Sequence, residues 1–350
     1  MKPALRRVHR WLALTLGVLW LSQALTGLLM VYRWELDDAA LEGRAVPLDV
    51  AALGARIAAV EADPAGRKVT SLWASGGVDG RFDLYVDDVD GGREIVRVDG
   101  AGRVLRRRSS GEGVIPTAAD LHQTLFAGDR GKTIVGLSGL VLLTSVVIGF
   151  VLAWPARAKQ WRQVLWPRGA RAGVARRYAW HRAAGLCLGV PALIVMGAGV
   201  LLAFESTLGG WLGAHATPAE LESVAAPATA AVAADTAIET ALAQFPGAAL
   251  SGVSWPSAEQ PWYRIRVMQP GEWRRVYGTS VVYVAAADGR MLRTEDALRA
   301  PTRTAFLANL YPVHTGEALG VAGRLLTLLV GLWLLSMLVL GFALWLARRR

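Results

Sequence analysis

Histidine is the residue type whose placement in this chain points to chemistry. The chain holds five histidines, and four of them, His9, His122, His181 and His314, each precede a long apolar run. The fifth, His215, has no such position. A neutral imidazole is a common metal ligand, and the unperturbed pKa of a histidine side chain, about 6.5, is close to neutral pH. The four placed histidines are therefore candidates for metal ligands or proton carriers.

The apolar runs that follow these histidines are each long enough to cross a bilayer. They cover residues 11 to 32, 134 to 154, 183 to 204 and 321 to 347. About 20 apolar residues span a hydrocarbon core of roughly 30 Å. The first run is longer than a signal-peptide core and ends in Tyr32, Arg33 and Trp34 rather than small residues, so we expect it to be retained. The single cysteine, Cys187, lies inside the third run, which leaves no disulfide within one chain.

The basic charge of the chain is explained by membrane topology. The net charge is +10, and the basic residues crowd residues 2 to 10, 157 to 182 and 348 to 350. The positive-inside rule places these segments in the cytoplasm, with both termini on that side. The long connections, residues 33 to 120 and 205 to 313, then lie on the outer face. Nucleic acid is not expected as a partner, because topology accounts for the charge.

Each long connection repeats one pattern, a helix followed by strands. The first is predicted to contain a helix at 48 to 62, capped within 47 to 49, and strands at 68 to 74, 81 to 87 and 93 to 107. The second is predicted to contain a flexible stretch at 214 to 234, a helix at 235 to 244, and strands at 249 to 255, 262 to 268 and 274 to 285. Alternating apolar residues and glycine-containing turns support both patterns. The outer connections therefore predict two α+β modules.

The predicted domains follow from this order. They are the N-terminal end and first span (1–34), the first outer module (35–120), an outer histidine segment with the second span (121–155), a basic cytoplasmic loop (156–182), the third span (183–205), the second outer module (206–312), and an outer histidine segment with the fourth span and a cytoplasmic tail (313–350).

The two halves of the chain are related to each other. Superimposing His9 on His181 also superimposes Gly17 on Gly189 and Gly27 on Gly199. Superimposing His122 on His314 brings together further pairs. These are Gly128 and Gly320, Gly131 and Gly323, Gly139 and Gly331, Gly149 and Gly341, and Phe150 and Phe342. The sequence therefore predicts a tandem duplication with both copies in parallel orientation.

This repeat predicts how the histidines pair. His9 and His181 fall at the inner face, and His122 and His314 at the outer face, so a pseudo-twofold axis along the membrane normal sets each pair face to face. Facing histidines in a helix bundle suit the axial ligation of b-type haem. The sequence lacks a Cys-x-x-Cys-His motif, so covalent haem attachment is not expected. We predict two b-type haems with these four histidines as iron ligands and electron transfer as their role; another metal or a proton relay is the alternative.

Other residues in the spans carry less specific predictions. Trp20 and Trp333 are candidates for electron-transfer stepping stones, although packing is the favoured interpretation. Four basic residues are candidates for pairing with haem propionates, with topology or lipid headgroup contact as the equal alternative. They are Arg10, Lys132, Arg182 and Arg324.

Motifs around the histidines resemble the PepSY-associated transmembrane helix family. The stretches that carry the resemblance are His9-Arg10-Trp11-Leu12 with Leu25-Thr26-Gly27, Leu121-His122-Gln123-Thr124-Leu125-Phe126 with Gly136-Leu137-Ser138-Gly139-Leu140, Trp180-His181-Arg182, and His314-Thr315-Gly316 with Gly323-Arg324-Leu325-Leu326. The resemblance covers nearly the whole chain. One departure is Ala198-Gly199 in the third span, where the family often has Thr-Gly.

The resemblance implies a bacterial inner-membrane protein with two periplasmic PepSY-like modules. The best-understood relatives resemble dihaem ferric-siderophore reductases, which pass cytoplasmic electrons outward and release iron as Fe(II). The expected fold is thus a membrane α-helical protein, a four-helix transmembrane bundle with two periplasmic α+β modules. The expected substrate is a ferric siderophore or similar ferric chelate, and a separate cytoplasmic or membrane electron donor is required. The alternative is a non-enzymatic siderophore or peptide permease, or a PepSY binding module, without haem.

Overall fold

The computed structural model describes residues 2–167, 173–214, 221 and 232–349. His215 and most of the stretch from 214 to 234, predicted to be flexible, lie outside the described residues. The chain divides into two compact units. The helical unit comprises Met1–Val31, Pro116–Leu208 and Leu310–Arg350, and the sheet unit comprises Tyr32–Ile115 and Gly209–Asn309.

The described helices and strands alternate in blocks along the chain. The helices are α1 (Lys2–Val31), α2 (Arg33–Asp38), α3 (Val50–Glu61), α4 (Val114–Thr124), α5 (Gly128–Ala153), α6 (Trp161–Leu165), α7 (Val174–Ala203), α8 (Glu205–Leu212), α9 (Ala234–Gln244), α10 (Thr302–Thr315) and α11 (Gly320–Ala347). The strands are β1 (Lys68–Ala74), β2 (Arg81–Asp87), β3 (Arg93–Asp99), β4 (Val104–Ser109), β5 (Ala249–Ser254), β6 (Trp262–Met268), β7 (Ser280–Ala285) and β8 (Met291–Glu295).

Four of the described helical segments are long and apolar enough to cross a membrane. They are Lys2–Val31, Gly128–Ala153, Val174–Ala203 and Glu317–Ala347. The prediction of a four-span helical membrane protein is confirmed at this level. Three of the helices begin well before their apolar runs. Charged residues such as Arg6 and Arg177 are good helix formers, so they extend a helix although they are not apolar.

The four long helices pack as a bundle in the helical unit. α1 packs against α5 and α11, and α7 packs against the same two helices. The apolar centre of the bundle includes Trp20, Leu142, Ala192 and Leu334, one residue from each helix. Close packing of this kind holds side chains near the two ends of the bundle in defined positions.

Two histidines lie on short helices that precede spans rather than on the spans. His122 is in α4 and His314 is in α10. A left-handed Gly316, with φ of 82°, follows α10. A Cβ atom at this position would lie 2.3 Å from the carbonyl oxygen of Gly323, so the tight connection to α11 requires glycine.

The sheet unit contains one continuous antiparallel sheet of eight strands. Its order is β4-β3-β2-β1-β5-β6-β7-β8, and the two outer segments of the chain contribute four strands each. They join where β1 pairs with β5, with Leu72 opposite Val253. α3 and α9 pack against each other and supply Leu53, Ile57 and Ile238 to the main core of the unit. The strand order is symmetric about the β1–β5 junction.

The structure corrects two strand predictions and adds one strand. The segment predicted as one strand from 93 to 107 is a hairpin of β3 and β4, because the Asp99 carboxylate accepts hydrogen bonds from the backbone N–H groups of Ala101 and Arg103 and forms a turn. β7 begins at Ser280 rather than at residue 274, since the Glu272 carboxylate binds the chain at residues 279 and 280. β8 was not predicted. The predicted cap of α3 is confirmed, because the Asp49 side chain accepts from the N–H of Ala52.

A buried ion-pair cluster attaches α2 to the sheet within the sheet unit. The guanidinium of Arg97 on β3, whose side chain is 1% exposed, forms a two-pronged pair with Asp83 at 2.8 and 2.7 Å. It also contacts Asp38 and Asp37 of α2, the latter at 2.8 Å. Although burial disfavours the charge, the bonds to these three carboxylates raise the pKa of Arg97.

Candidate functional site

The helical unit brings the four predicted histidines into two pairs. In the His9 pair, His9 of α1 and His181 of α7 have ring centroids 6.4 Å apart and planes inclined by 61°. In the His122 pair, His122 of α4 and His314 of α10 have centroids 6.2 Å apart and planes inclined by 29°. These are the two pairs that the internal repeat predicts.

His122 lies directly against α1 and is held there by two acceptors. Its Nδ1 is 3.1 Å from the carbonyl oxygen of Gln23 and 3.1 Å from the hydroxyl oxygen of Thr26. A Cβ atom at Gly27 would lie 3.0 Å from the imidazole Cε1. The glycine thus allows the ring to approach the helix backbone, and the carbonyl sets its orientation.

His314 occupies the repeat-related position against α7. Its Nδ1 is 2.8 Å from the carbonyl oxygen of Val195, and a Cβ atom at Gly199 would lie 2.6 Å from its Cε1. Val195 and Gly199 correspond in the repeat to Gln23 and Gly27. The two histidines therefore make the same two contacts. Each ring lies against a glycine, and each Nδ1 donates to the backbone carbonyl four residues before that glycine.

The His9 pair shows the same design in one member only. The Nδ1 of His9 is 2.9 Å from the carbonyl oxygen of Ser145 and 3.0 Å from its hydroxyl, and a Cβ atom at Gly149 would lie 3.1 Å from its Cε1. His181 lies near the repeat-related Gly341, where the corresponding distance is 3.7 Å. Among the described residues, the buried Nδ1 of His181 has no hydrogen-bond partner.

The backbone contacts decide which ring nitrogen is available for a ligand. A carbonyl oxygen only accepts, so the Nδ1 of His9, His122 and His314 carries the proton, and the lone pair is on Nε2. Burial, followed by the charge of neighbouring His314, lowers the pKa of His122 to about 4. Its imidazole is therefore neutral at pH 7, as a metal ligand must be.

The separation within each pair fits a metal ion between two imidazoles. Bonds from a metal to imidazole nitrogen are about 2 Å long, and the ring centre lies roughly 1 Å behind the nitrogen, so two trans ligands have centroids roughly 6 Å apart. Both pairs are within a few tenths of an ångström of this value. The described residues contain no group of three or more His, Cys, Asp or Glu side chains that could hold a metal. A histidine pair suits a metal that a macrocycle already binds, since haem iron takes two axial ligands.

The two pairs lie near opposite ends of the bundle. His9 is close to the start of α1, whereas the His122 ring contacts Gly27 near the end of the same helix. These two positions are about 27 Å apart along a helix that rises ~1.5 Å per residue. This distance is close to the hydrocarbon thickness of a bilayer, roughly 30 Å.

Comparison with known protein families identifies the family of the chain. The family model described as the PepSY-associated TM region matches residues 6–348. The chain belongs to this family. The matched region includes all four paired histidines, and the resemblance predicted from their motifs is confirmed. No curated protein shows significant similarity to the chain.

The sequence did not predict which side-chain and backbone groups hold the histidines in position. Thr26 stands within a family motif but was given no role, and neither the hydroxyl of Ser145 nor the carbonyls of Gln23 and Val195 carried a recognised signal. A signal for the four glycines was present, because Gly27 matches Gly199 and Gly149 matches Gly341 in the repeat. Such matches within apolar spans mark places where another group approaches the helix closely.

Two arginines predicted as possible propionate partners each contact the end of a neighbouring span. Arg182 Nε donates to the carbonyl of Ala153, the last residue of α5, at 2.7 Å. Arg324 Nη2 donates to the carbonyl of Val31, the last residue of α1, at 2.9 Å. Cations at helix C-termini satisfy carbonyls that lack partners within the helix.

The two tryptophans of the spans are packed in the bundle centre. Trp20 and Trp333 are buried, and their indole N–H groups donate to the carbonyls of Ser138 and Ala184 at 3.3 and 2.8 Å. These contacts give both residues a packing role. Their use as electron stepping stones stays a prediction.

Proposed function

We propose that the chain is an inner-membrane dihaem electron-transfer protein that reduces ferric siderophores or similar ferric chelates. Electrons pass from the cytoplasmic side to the periplasm, and the iron leaves its chelate as Fe(II). The observation that carries the proposal is the geometry of the two histidine pairs, each spaced for a metal between two imidazoles and placed at opposite ends of α1. In this proposal the chain is a transmembrane ferric-chelate reductase with both termini in the cytoplasm.

The histidines divide between two b-type haems. His9 and His181 hold the haem near the cytoplasm, and His122 and His314 hold the haem near the periplasm. Haem b with two imidazole ligands supplies a one-electron carrier without an open iron position. The carbonyls that accept from Nδ1 keep the imidazoles of His9, His122 and His314 in the ligating tautomer and increase their basicity.

The sheet unit completes the proposed architecture as two periplasmic PepSY-like modules. The matched positions of histidines and glycines, together with the symmetric strand order, support a tandem duplication. In this arrangement each copy contributes two spans and half of the sheet.

Reduction of the chelate is sufficient to release the metal. Each ferric ion takes up one electron, and the resulting Fe(II) is a softer ion that hard oxygen ligands hold less well. A separate donor, either a cytoplasmic reductase or a membrane-soluble carrier, supplies the electron. The chelator itself is not cleaved and can be used again.

Optical spectroscopy tests the proposal. The protein is expressed with ample haem, purified in detergent and recorded in the oxidised and dithionite-reduced states, with haem counted per chain. We expect reduced b-type bands and two haems per chain. Substitution of His122 or His314 by alanine should leave one haem, and so should substitution of His9 or His181, whereas His215→Ala should retain both.

Functional reconstitution completes the test. Proteoliposomes with a reductant inside and a ferric chelate outside should form Fe(II) only when the wild-type protein is present. A well-folded protein without colour would refute the proposal. That result would favour a permease or binding module in which the histidines relay protons.

A further inference from the structure

The four histidines differ in how firmly the protein holds them. His9 and His122 each contact a carbonyl and a hydroxyl, His314 contacts a carbonyl, and the Nδ1 of His181 has no partner among the described residues. His181 also stands further from its glycine than the other three do. The support is therefore graded, and it is weakest at His181.

The repeat shows one side-chain difference between the two positions. Ser145, whose hydroxyl and carbonyl contact His9, corresponds to Met337 on α11. The side chain of Met337 reaches α7 one turn beyond His181, because its Cε lies 3.4 Å from where a Cβ atom at Gly185 would be. A thioether is a weak hydrogen-bond acceptor, so an apolar contact replaces the hydroxyl at this position.

We infer that His181 is the exchangeable ligand of the His9 pair, so that an exogenous small ligand enters at that metal and not at the metal of the His122 pair. This inference rests on the proposed function. Outer-shell partners fix the ring orientation and raise ligand basicity, and their loss typically costs roughly 10- to 100-fold in metal affinity. The Nδ1 of His181 is buried and lacks such a partner among the described residues.

Carbon monoxide is the probe, since it binds ferrous haem only where an axial ligand leaves. We expect it to bind about half of the haem in the dithionite-reduced wild-type protein. The variant His122→Ala/His314→Ala, which keeps the His9 pair, should bind carbon monoxide at its remaining haem. The variant His9→Ala/His181→Ala, which keeps the His122 pair, should resist it.

A gain-of-contact variant tests the assigned cause. Met337→Ser introduces the hydroxyl that the first repeat has at Ser145, and Met337→Ala is the matched control, with the same loss of packing but without the hydroxyl. We expect Met337→Ser to slow carbon monoxide binding about tenfold relative to Met337→Ala. It should also lower the midpoint potential of the haem of the His9 pair, because a more basic imidazole favours ferric iron.

The outcomes separate the two proposals. Equal binding at both haems, preferential binding at the His122 pair, or identical behaviour of the two Met337 variants would overturn the inference and leave the dihaem function in place. A folded protein that purifies without haem would overturn both.

Discussion

Alanine at Gly199 should displace His314 and remove the haem that we propose for the His122 pair. The added Cβ would lie 2.6 Å from the imidazole Cε1, whereas ordinary contacts begin near 3.4 Å. The ring must therefore move about 0.8 Å away from α7. Starting from 2.8 Å, this movement carries Nδ1 to roughly 3.6 Å from the Val195 oxygen, beyond hydrogen-bond range.

The displacement is also large for metal ligation. Ligand distances are held within about 0.2 Å, so a ring moved by about 0.8 Å no longer fits the site. Loss of the Val195 contact alone should weaken haem binding roughly 10- to 100-fold, equivalent to about 1.4 to 2.7 kcal/mol. The helix itself should not suffer, because alanine is a better helix former than glycine by about 1 kcal/mol.

Gly341→Ala is the matched control for this prediction. It adds the same methyl group beside a histidine of the other pair, but at an ordinary contact distance of 3.7 Å. Haem per chain, measured by pyridine haemochrome, should fall to about one for Gly199→Ala and remain at two for Gly341→Ala. Gly27→Ala and Gly149→Ala, at 3.0 and 3.1 Å, should be intermediate. The reasoning fails if Gly199→Ala retains two haems with unchanged spectra, or if Gly341→Ala loses as much as Gly199→Ala.

Three further predictions concern side chains in the two units. Arg97→Met should destabilise the sheet unit by about 3 to 5 kcal/mol, since it leaves the buried Asp83 carboxylate without its ion-pair partner. Thermal melting checks this against Arg107→Met, which removes an exposed pair with Glu94 and should cost at most about 1 kcal/mol. Burial raises the pKa of Tyr263 to about 12, and its hydroxyl donates to the Val232 carbonyl at 2.8 Å. The folded state therefore binds the Tyr263 proton more tightly than the unfolded state, and the resulting stabilisation is complete below the unfolded pKa near 10 and is lost as the pH rises towards 12. Tyr263→Phe should flatten the alkaline fall in the free energy of unfolding between these pH values. An equal fall in both proteins would contradict this prediction. Thr26→Val should retain two haems, as counted by haemochrome, because the Gln23 carbonyl still binds His122; loss of a whole haem would show that the hydroxyl is the main support.

The arrangement of the bundle forms each histidine pair from both halves of the chain. Each pair takes one histidine from each half of the chain, and each supporting glycine is in the same half as its histidine. Substitutions in one half therefore act on one ligand of a pair at a time. The effects of the glycine and histidine variants on haem content can therefore be compared directly.

The sequence by itself determined the spans and the pairing of the histidines. Hydropathy is a property of composition, so the four apolar runs identify the four long helices without knowledge of their neighbours. Identities at shared spacings relate His9 to His181 and His122 to His314, and the structure brings the members of each pair together. Turn and cap residues such as Asp49 act within a few residues, which is why local patterns also predict most strands.

The tertiary structure alone decided how the sheet is joined and how each histidine is held. The β1–β5 pairing connects residues more than a hundred positions apart, and no local pattern specifies it. The acceptors for His122 and His314 include backbone carbonyls, which every residue possesses, so residue type carries no signal for them. The difference between Ser145 and Met337 is visible in the sequence, but only the packing of α5 on α1 and of α11 on α7 places Ser145 against His9 and Met337 one turn from His181.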